Sequence, residues 1–457
     1  MKILLINPPG RTSFVTPPLG LMYLAASLKK AGHQPLILDF LLEKFTPEAL
    51  FKKLTPEIKV IGITAVTPNI AEAVSLADFI KKNFPEKIII FGGPHPSLLP
   101  RETLASSKSI DFVLKGEGEE RMCHFLDYLE GKRKEAELDG IISRKNKEIF
   151  DFSQKKFIEN LDDLPFPARE LVSIEEYSEI LESREKPATT LITSRGCPFH
   201  CIYCSKPIFG NVFRARSPEN VVKEIEFLKE KYKIRELIFY DDTFTFNRER
   251  TVELCNLLIE KKLNIKWKCE TRVNLVDEEL LELMKKAGCY LIGFGIESGN
   301  SRILNILKKG ITIEQVRIAV KAAKKVGIEI LGYFILGIPG ETEKEIKETI
   351  NFAKSLDVEY AQFSIATAFP GTELYQIAKS SGRLPDLGES FYALAGKVDF
   401  SLCDVPPKEL QRYLRKAYSS FYLRPKYIFS KVKKIRSFYD IFFYLKNLKN
   451  LIIIIKP

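Results

Sequence analysis

Three of the chain's eight cysteines fall within one short run, Cys197-Pro-Phe-His-Cys201-Ile-Tyr-Cys204. The spacing C-x3-C-x2-C puts three thiolates on one tight loop, and each can hold one iron of a four-iron cubane. The fourth iron is then left without a protein ligand. An open coordination position separates a metal that performs chemistry from one that braces a fold. Structural zinc is the competing reading, but zinc wants a fourth ligand at similar spacing, from a second C-x2-C or a pair of histidines. No second pair exists, and His200 lies between two of the thiols, where its ring is expected to point away. The other cysteines (123, 255, 269, 289 and 403) are isolated and read as small buried apolar residues.

A loop presents thiolates only if something holds it. From residue 187 onward, short runs rich in Ile, Val, Leu and Phe predict strands at Thr189–Thr193, Glu236–Tyr240, Lys266–Thr271, Tyr290–Ile296, Ile328–Leu336 and Tyr360–Ala366. Helical patterns separate them at Pro218–Lys231, Arg248–Lys261, Asp277–Lys286, Thr312–Val326 and Glu343–Ser355. The series suits a partial (β/α)6 barrel, a shorter relative of the eight-fold barrel, with the cysteine loop just after its first strand. The first 130 residues form a separate alternating series. Strands at Lys2–Ile6, Gln34–Phe40, Val60–Thr64, Lys87–Phe91 and Asp111–Leu114 alternate with helices at Leu19–Ala31, Thr46–Leu54 and Asn69–Asn83. This is the pattern of an α/β doubly wound, Rossmann-like parallel sheet. Its ligand loops are Asn7–Gly10, Thr64–Thr67, Gly92–Pro96 and Gly116–Glu119, beyond the carboxyl ends of the strands. Between the two series, Gly140–Ser143 and Glu148–Phe152 look like a hairpin, and Asn160-Leu-Asp-Asp-Leu-Pro-Phe-Pro like a connector. The expected division is 1–135, 136–186, 187–390 and a helical, basic extension at 391–457.

The segment Arg195-Gly-Cys-Pro-Phe-His-Cys-Ile-Tyr-Cys strongly resembles the signature loop of radical S-adenosylmethionine enzymes, including the aromatic Tyr203 before the third cysteine. The resemblance implies that Cys197, Cys201 and Cys204 hold a 4Fe-4S cluster whose open iron is chelated by the methionyl amino and carboxylate groups. Reductive cleavage of the sulfur–C5′ bond then yields a 5′-deoxyadenosyl radical that takes a hydrogen atom from the substrate. Later strand ends match the family as well. Asp241 and Asp242 are placed for the methionyl amino group, Arg272 for the carboxylate, and Glu297 and Ser298 for the ribose or the methionine. The stretch carrying Phe334, Leu336 and Gly337 would pack backbone against adenine, and Tyr203 would lie nearby.

The first series resembles the cobalamin-binding domain found ahead of the barrel in a large subgroup of this family. The matching text is Ile6-Asn-Pro-Pro, Pro17-Pro-Leu-Gly-Leu with Tyr23-Leu-Ala-Ala, Gly32-His33, Gly92-Gly-Pro-His and Gly116-Glu-Gly-Glu. It implies corrinoid contacts at Asn7, Pro8, Pro18, Gly20, Thr64, Thr67, Gly92, Gly93, His95, Gly116 and Glu117. The Asp-x-His-x-x-Gly motif that supplies a lower axial imidazole in many cobalamin enzymes is absent: Asp39 is followed by Phe40 and Leu41. Flavin, nucleotide and cobalamin domains share such sheets, so the ligand rests on the resemblance, and a sheet without cofactor is the bland alternative. His33 reads as a turn residue and His124 as a helix residue.

At 457 residues and 45% apolar, the chain has enough for two or three packed cores. The opening strand breaks after Ile6 into Asn and two prolines, too short for a signal-peptide core. No run reaches the roughly 18 to 20 apolar residues that span a bilayer, so a cytoplasmic protein is expected. Its net charge of +11 is local: residues 408–457 hold thirteen Lys or Arg against Glu409 and Asp440, and the remaining body is neutral. Residues 413–455 interleave these charges with Tyr and Phe. A helical cap on the barrel is the plain reading, peripheral contact with an anionic membrane the second, and nucleic acid the least favoured. The expected function is hydrogen abstraction followed by methylation of an unactivated carbon on a small or lipid-like molecule, with electrons from a flavodoxin or ferredoxin. Oxidative cyclisation or rearrangement and a cofactor-sensing regulator are the alternatives. RNA methylthiolation would need a second cysteine trio, where the first domain has only Cys123.

Overall fold

The computed structural model describes residues 1–10, 15–145, 148–151, 157–384 and 400–432. Its first strands are continuous apolar runs because helices cover both of their faces. They are β1 (Lys2–Asn7), β2 (Gln34–Asp39), β3 (Ile58–Thr64), β4 (Ile88–Gly92) and β5 (Phe112–Leu114), all parallel, in the order β2-β1-β3-β4-β5. Helices Leu19–Lys30 and Glu119–Leu129 bury one face, and Pro47–Lys53 and Ile70–Asn83 the other. The order reverses at β1, so a crevice opens beyond the carboxyl ends of β1 and β3, the usual ligand position of such sheets.

The hairpin β6 (Ile141–Lys145) and β7 (Glu148–Asp151) joins this sheet antiparallel to β5, Val113 pairing with Ile142. The first unit therefore runs past residue 135, where its end was expected. Alternation along the sequence reveals a hairpin, but not which sheet edge receives it.

The second sheet has six parallel strands in chain order: β8 (Ala188–Leu191), β11 (Glu236–Phe239), β12 (Lys266–Thr271), β13 (Cys289–Glu297), β14 (Glu329–Leu336) and β15 (Tyr360–Ile365). Leu237, Phe239, Trp267, Ile292, Phe294, Ile330 and Phe363 face the outer helices, and Cys255, Cys269 and Cys289 are buried in the same core. The alternate residues turn inward, as the two-residue period of a strand requires. Between β8 and β11 the two-residue strands β9 (Ser194–Arg195) and β10 (Arg214–Ala215) pair antiparallel and close residues 196–213 into a loop.

The barrel is open at β15, and an open edge leaves backbone groups unpaired. The helix Pro407–Tyr422 supplies the missing partners. The Tyr418 hydroxyl donates to the Phe363 carbonyl at 3.0 Å and accepts from its N–H at 3.2 Å. Tyr422 does the same at Ala361, at 2.8 and 3.0 Å. The first part of the basic extension is thus a barrel cap. The next helix, Pro425–Val432, exposes Ile428, Phe429 and Val432. The rest of the aromatic-basic stretch, 433–457, lies outside the described residues. Among the described residues no helix is long and apolar enough to cross a membrane.

Candidate active site

The cysteine loop leaves β9 through Gly196, at φ +82°, where an added Cβ would lie 2.2 Å from the Val212 carbonyl oxygen. Cys197 and Cys201 are half-buried, Cys204 is exposed, and all three are free thiols. The Thr243 hydroxyl lies 3.6 Å from Cys197 Sγ, and Arg272 Nη1 donates to Cys201 Sγ at 3.7 Å. Arg272 is held over the Phe199 ring, 3.7 Å from its centroid, and Nη2 donates to the Lys309 carbonyl. Among the described residues no three His, Cys, Asp or Glu side chains converge on a single ion position. A cubane would spread the three thiolates over three separate irons. The donor set fits a cluster: three uncrosslinked thiols flanked by N–H and O–H groups of the kind that tune cluster potential.

At the end of β11, Asp241 is 3% exposed and accepts from the Thr193 N–H at 2.7 Å and from the Ser194 hydroxyl at 2.7 Å. Its carboxylate braces the exit of the first barrel strand. Asp242 beside it is exposed. At the end of β13 the register shifts between Gly295 and Glu297, and Glu297 takes a left-handed φ of +68°. Such backbone in a residue other than glycine persists only where surroundings enforce it. Here Glu297 Oε1 accepts from the Tyr203 hydroxyl at 2.8 Å and from Lys309 Nζ at 2.7 Å, while Nζ also reaches the Tyr203 oxygen at 3.2 Å. Burial and the neighbouring carboxylate push the Tyr203 phenol up, so it stays a donor. Gly295 makes room, because a Cβ there would sit 2.6 Å from both Glu297 Oε1 and Lys309 Nζ. Lys309 was not anticipated; in the run Lys308-Lys309-Gly310 it reads as one of two solvated charges.

Other anticipated positions are used differently. Ser298 is fully buried; its hydroxyl pairs with Thr349 at 3.0 Å and accepts from the Asn300 N–H, behind the strand end. Phe334 and Leu336 put their side chains into the sheet–helix core, Phe334 stacking on Phe363 at 5.2 Å. Strand alternation turns the intervening Ile335 to the other face, against the apolar cluster of Ile202, Ile303 and Ile338 that Tyr203 also borders. Gly337, at φ +84°, and Ile338 donate their N–H groups to Glu341 at 2.6 and 3.1 Å. Inside the barrel the Tyr333 hydroxyl donates to Glu270 Oε1 at 2.5 Å across Gly293, whose missing Cβ would press on both.

In the first domain, the loops beyond β3, β4 and β5 bring Thr64, Thr67, Gly92, Gly93, His95 and Gly116 together. Gly93 has φ +96°, and a Cβ there would meet Thr64 Oγ1 at 2.5 Å. His95 is 3% exposed, with Nδ1 at 3.2 Å from Thr67 Oγ1, and burial lowers its pKa, which keeps the ring neutral. The Gly116 N–H donates to Ser97 Oγ at 2.9 Å. Asn7 donates to Asp39 at 2.9 Å. Pro18 caps the helix that holds Gly20, where an added Cβ would meet nothing within 4 Å, leaving a bare helix start at the crevice. Pro8 is buried. These narrow, glycine-lined turns fit a ligand pressed against backbone. Glu117, expected to face such a ligand, instead has its carboxylate buried against Arg195 and Arg214 of the barrel domain. Sequence order places it in a ligand loop but cannot show which way the side chain turns.

The carboxyl ends of the two sheets face each other. Thr16, after β1, lies beside Tyr240 at the end of β11, and Leu98, after β4, packs against Gly371 beyond β15. Behind this mouth the Tyr177 hydroxyl donates to the buried Asp39, tying the connector to β2.

Residues 191–353 match the Radical SAM superfamily, and residues 10–126 the B12 binding domain. An uncharacterized methyltransferase of Pyrococcus horikoshii is 38% identical over 437 residues, covering 93% of each chain. The anaerobic magnesium-protoporphyrin IX monomethyl ester cyclase of Rubrivivax gelatinosus is 29% identical, covering 82% of this chain and 70% of the cyclase. Among solved structures, the radical S-adenosylmethionine methyltransferase TsrM of Kitasatospora setae superposes with a TM-score of 0.72 at 20% identity, over 84% of this chain and 77% of that one, a likeness of fold. With both domains matched in order and a full-length relative at this identity, the chain belongs to the radical S-adenosylmethionine enzymes that carry a B12-binding domain.

Proposed function

We propose that this enzyme methylates an unactivated carbon of a small molecule. A 4Fe-4S cluster would sit on Cys197, Cys201 and Cys204, and S-adenosylmethionine against Asp242, Arg272, Glu297 and the backbone after Phe334. Cobalamin would lie on the loops of Asn7, Thr64, Thr67, Gly92, Gly93, His95 and Gly116. The observation that carries this reading is the meeting of the two sets of loops, through Thr16 with Tyr240 and Leu98 with Gly371. When bound, these groups supply hydrogen-atom abstraction and a methyl donor that needs no nucleophilic acceptor.

The protein's own residues do the positioning. Arg272, pinned by Phe199 and the Lys309 carbonyl, offers a guanidinium beside Cys201 to a carboxylate. Lys309 and Tyr203 hold one oxygen of Glu297 and so aim the other at a hydroxyl-bearing ligand. The Glu270–Tyr333 pair gives the lumen a carboxylate acceptor, which suits a substrate with a polar donor group. The first domain, lying over the barrel mouth, excludes water and stray hydrogen donors. Electrons would come from a flavodoxin or ferredoxin in the cytoplasm, and the exposed Ile428, Phe429 and Val432 with the basic residues beyond would touch an anionic membrane.

The named cyclase relative makes oxidative cyclisation the second reading. Product counting separates them. Under anaerobic reduction, methylation consumes two molecules of S-adenosylmethionine, giving 5′-deoxyadenosine and S-adenosylhomocysteine in equal amounts. Cyclisation gives the first without the second, and absence of both refutes the enzyme as drawn.

A further inference from the structure

The cysteine loop is anchored from outside its own domain. Arg195 and Arg214 stand at its two ends, paired across the β9–β10 ladder. Both reach into the Gly116-Glu-Gly-Glu turn of the first domain. Glu117 Oε1 accepts from Arg195 Nη1 at 2.7 Å and Arg214 Nη1 at 3.0 Å. Glu117 Oε2 accepts from Arg214 at 2.9 Å and from the Ile158 N–H at 2.9 Å. Arg195 Nη2 donates to Glu119 Oε1 at 2.6 Å. The Arg195 guanidinium lies between the ring of Tyr23, on the first helix of the first domain, and that of Phe209, inside the cysteine loop, at 5.3 and 4.9 Å. All four charged side chains are at most 8% exposed.

Two carboxylates and two guanidiniums removed from water are costly to assemble, and nothing about the fold of either sheet alone demands them. What they fix is the base of the loop, two residues from Cys197, relative to a turn whose Gly116 N–H is bound to the helix of His95 through Ser97. We propose that Glu117 and Glu119 are positioning residues that set the metal-binding loop against the ligand loops of the first domain. The proposal rests on the function proposed above. Two reactive centres on separate domains react only at a held separation, and a misplacement of about 1 Å can cost on the order of a hundredfold in rate. Arginine suits the task because its fork spans Glu117 and Glu119 together, while lysine at 195 reaches one of them.

The test compares the parent with Glu119→Gln and Glu117→Gln, which keep side-chain volume, and with Arg195→Lys, which keeps the charge but reaches only one carboxylate. Amide hydrogen exchange on the full apo chain is read first. Removing one charge-assisted bond should speed exchange about tenfold or more in residues 196–213, and leave the strands of both sheets near the parent rate. The second readout is the electron paramagnetic resonance spectrum of the reduced, reconstituted protein. All three variants should keep parental iron, yet show a smaller spectral change on adding S-adenosylmethionine. Unchanged exchange in the loop, or an equal rise throughout both domains, overturns the proposal, as does a parental spectral response. A parent that binds no iron would overturn the function instead, while the exchange result still judges the clamp.

Discussion

Replacing Gly295 by alanine should disable the Glu297 knot without touching any cluster ligand. The added Cβ would sit 2.6 Å from both Glu297 Oε1 and Lys309 Nζ, where ordinary contact begins near 3.4 Å. Each group would have to retreat by about 0.8 Å from a pair now 2.7 Å apart, and a shift of either side-chain end by that much parts the bond. A hydrogen bond to a charged group contributes about 1.5–3 kcal/mol, so loss of one predicts a ten- to hundredfold weaker affinity for S-adenosylmethionine. The assay is equilibrium binding to anaerobically reconstituted protein, with iron content measured on the same samples. Affinity within about twofold of the parent at equal iron would refute the role given to Glu297, Lys309 and Tyr203. Loss of iron along with affinity would show instead that the knot holds the cysteine loop.

Single alanine substitutions of Cys197, Cys201 or Cys204 should each abolish 5′-deoxyadenosine formation and cut bound iron sharply, whereas Cys255→Ala, in the outer core, should keep both; iron analysis and product chromatography decide. Glu341, fully buried, has its carboxyl pushed from 4.5 up to about 7, because burial outweighs the Gly337 and Ile338 N–H bonds. The folded chain therefore holds this proton more tightly than the unfolded one, so its stabilisation is complete below about pH 4.5 and is lost as pH rises through 7. Glu341→Gln should flatten that slope and raise the melting temperature at pH 8, by up to about 3 kcal/mol in stability, and an unchanged slope would refute the assignment. Deleting residues 425–457 should weaken sedimentation with anionic lipid vesicles while iron loading stays at the parental value; unchanged sedimentation removes the membrane reading.

Most of the strand order was legible because parallel strands buried on both faces leave unbroken Ile, Val and Leu runs. All six barrel strands fall within a few residues of the positions read from them. The cysteine trio was legible for a different reason, since its ligands are local in sequence. What was hidden is whatever depends on side-chain direction between distant segments. Lys309 joins Glu297 and Tyr203 from a turn after a short helix, and nothing in Lys308-Lys309-Gly310 marks which lysine turns inward. Glu117 sits in the anticipated loop but faces the barrel domain's arginines. Phe334 and Leu336 fall on the strand face that packs on helices, a parity fixed only once the register with β13 and β15 is known. The hairpin at 141–151 was seen as a hairpin, while its place beside β5 is a long-range pairing without a local signal.

Three thiolates at Cys197, Cys201 and Cys204 would leave one iron for the sulfonium substrate. Electron–nuclear double resonance on the reduced cluster, with S-adenosylmethionine isotopically labelled at the methionyl amino and carboxylate groups, reads that iron directly. Both labels should couple to the cluster in the parent, and the coupling should weaken in Gly295→Ala. A well-formed cluster that shows no coupling to either label, because a fourth protein ligand already fills the corner, would contradict that reading.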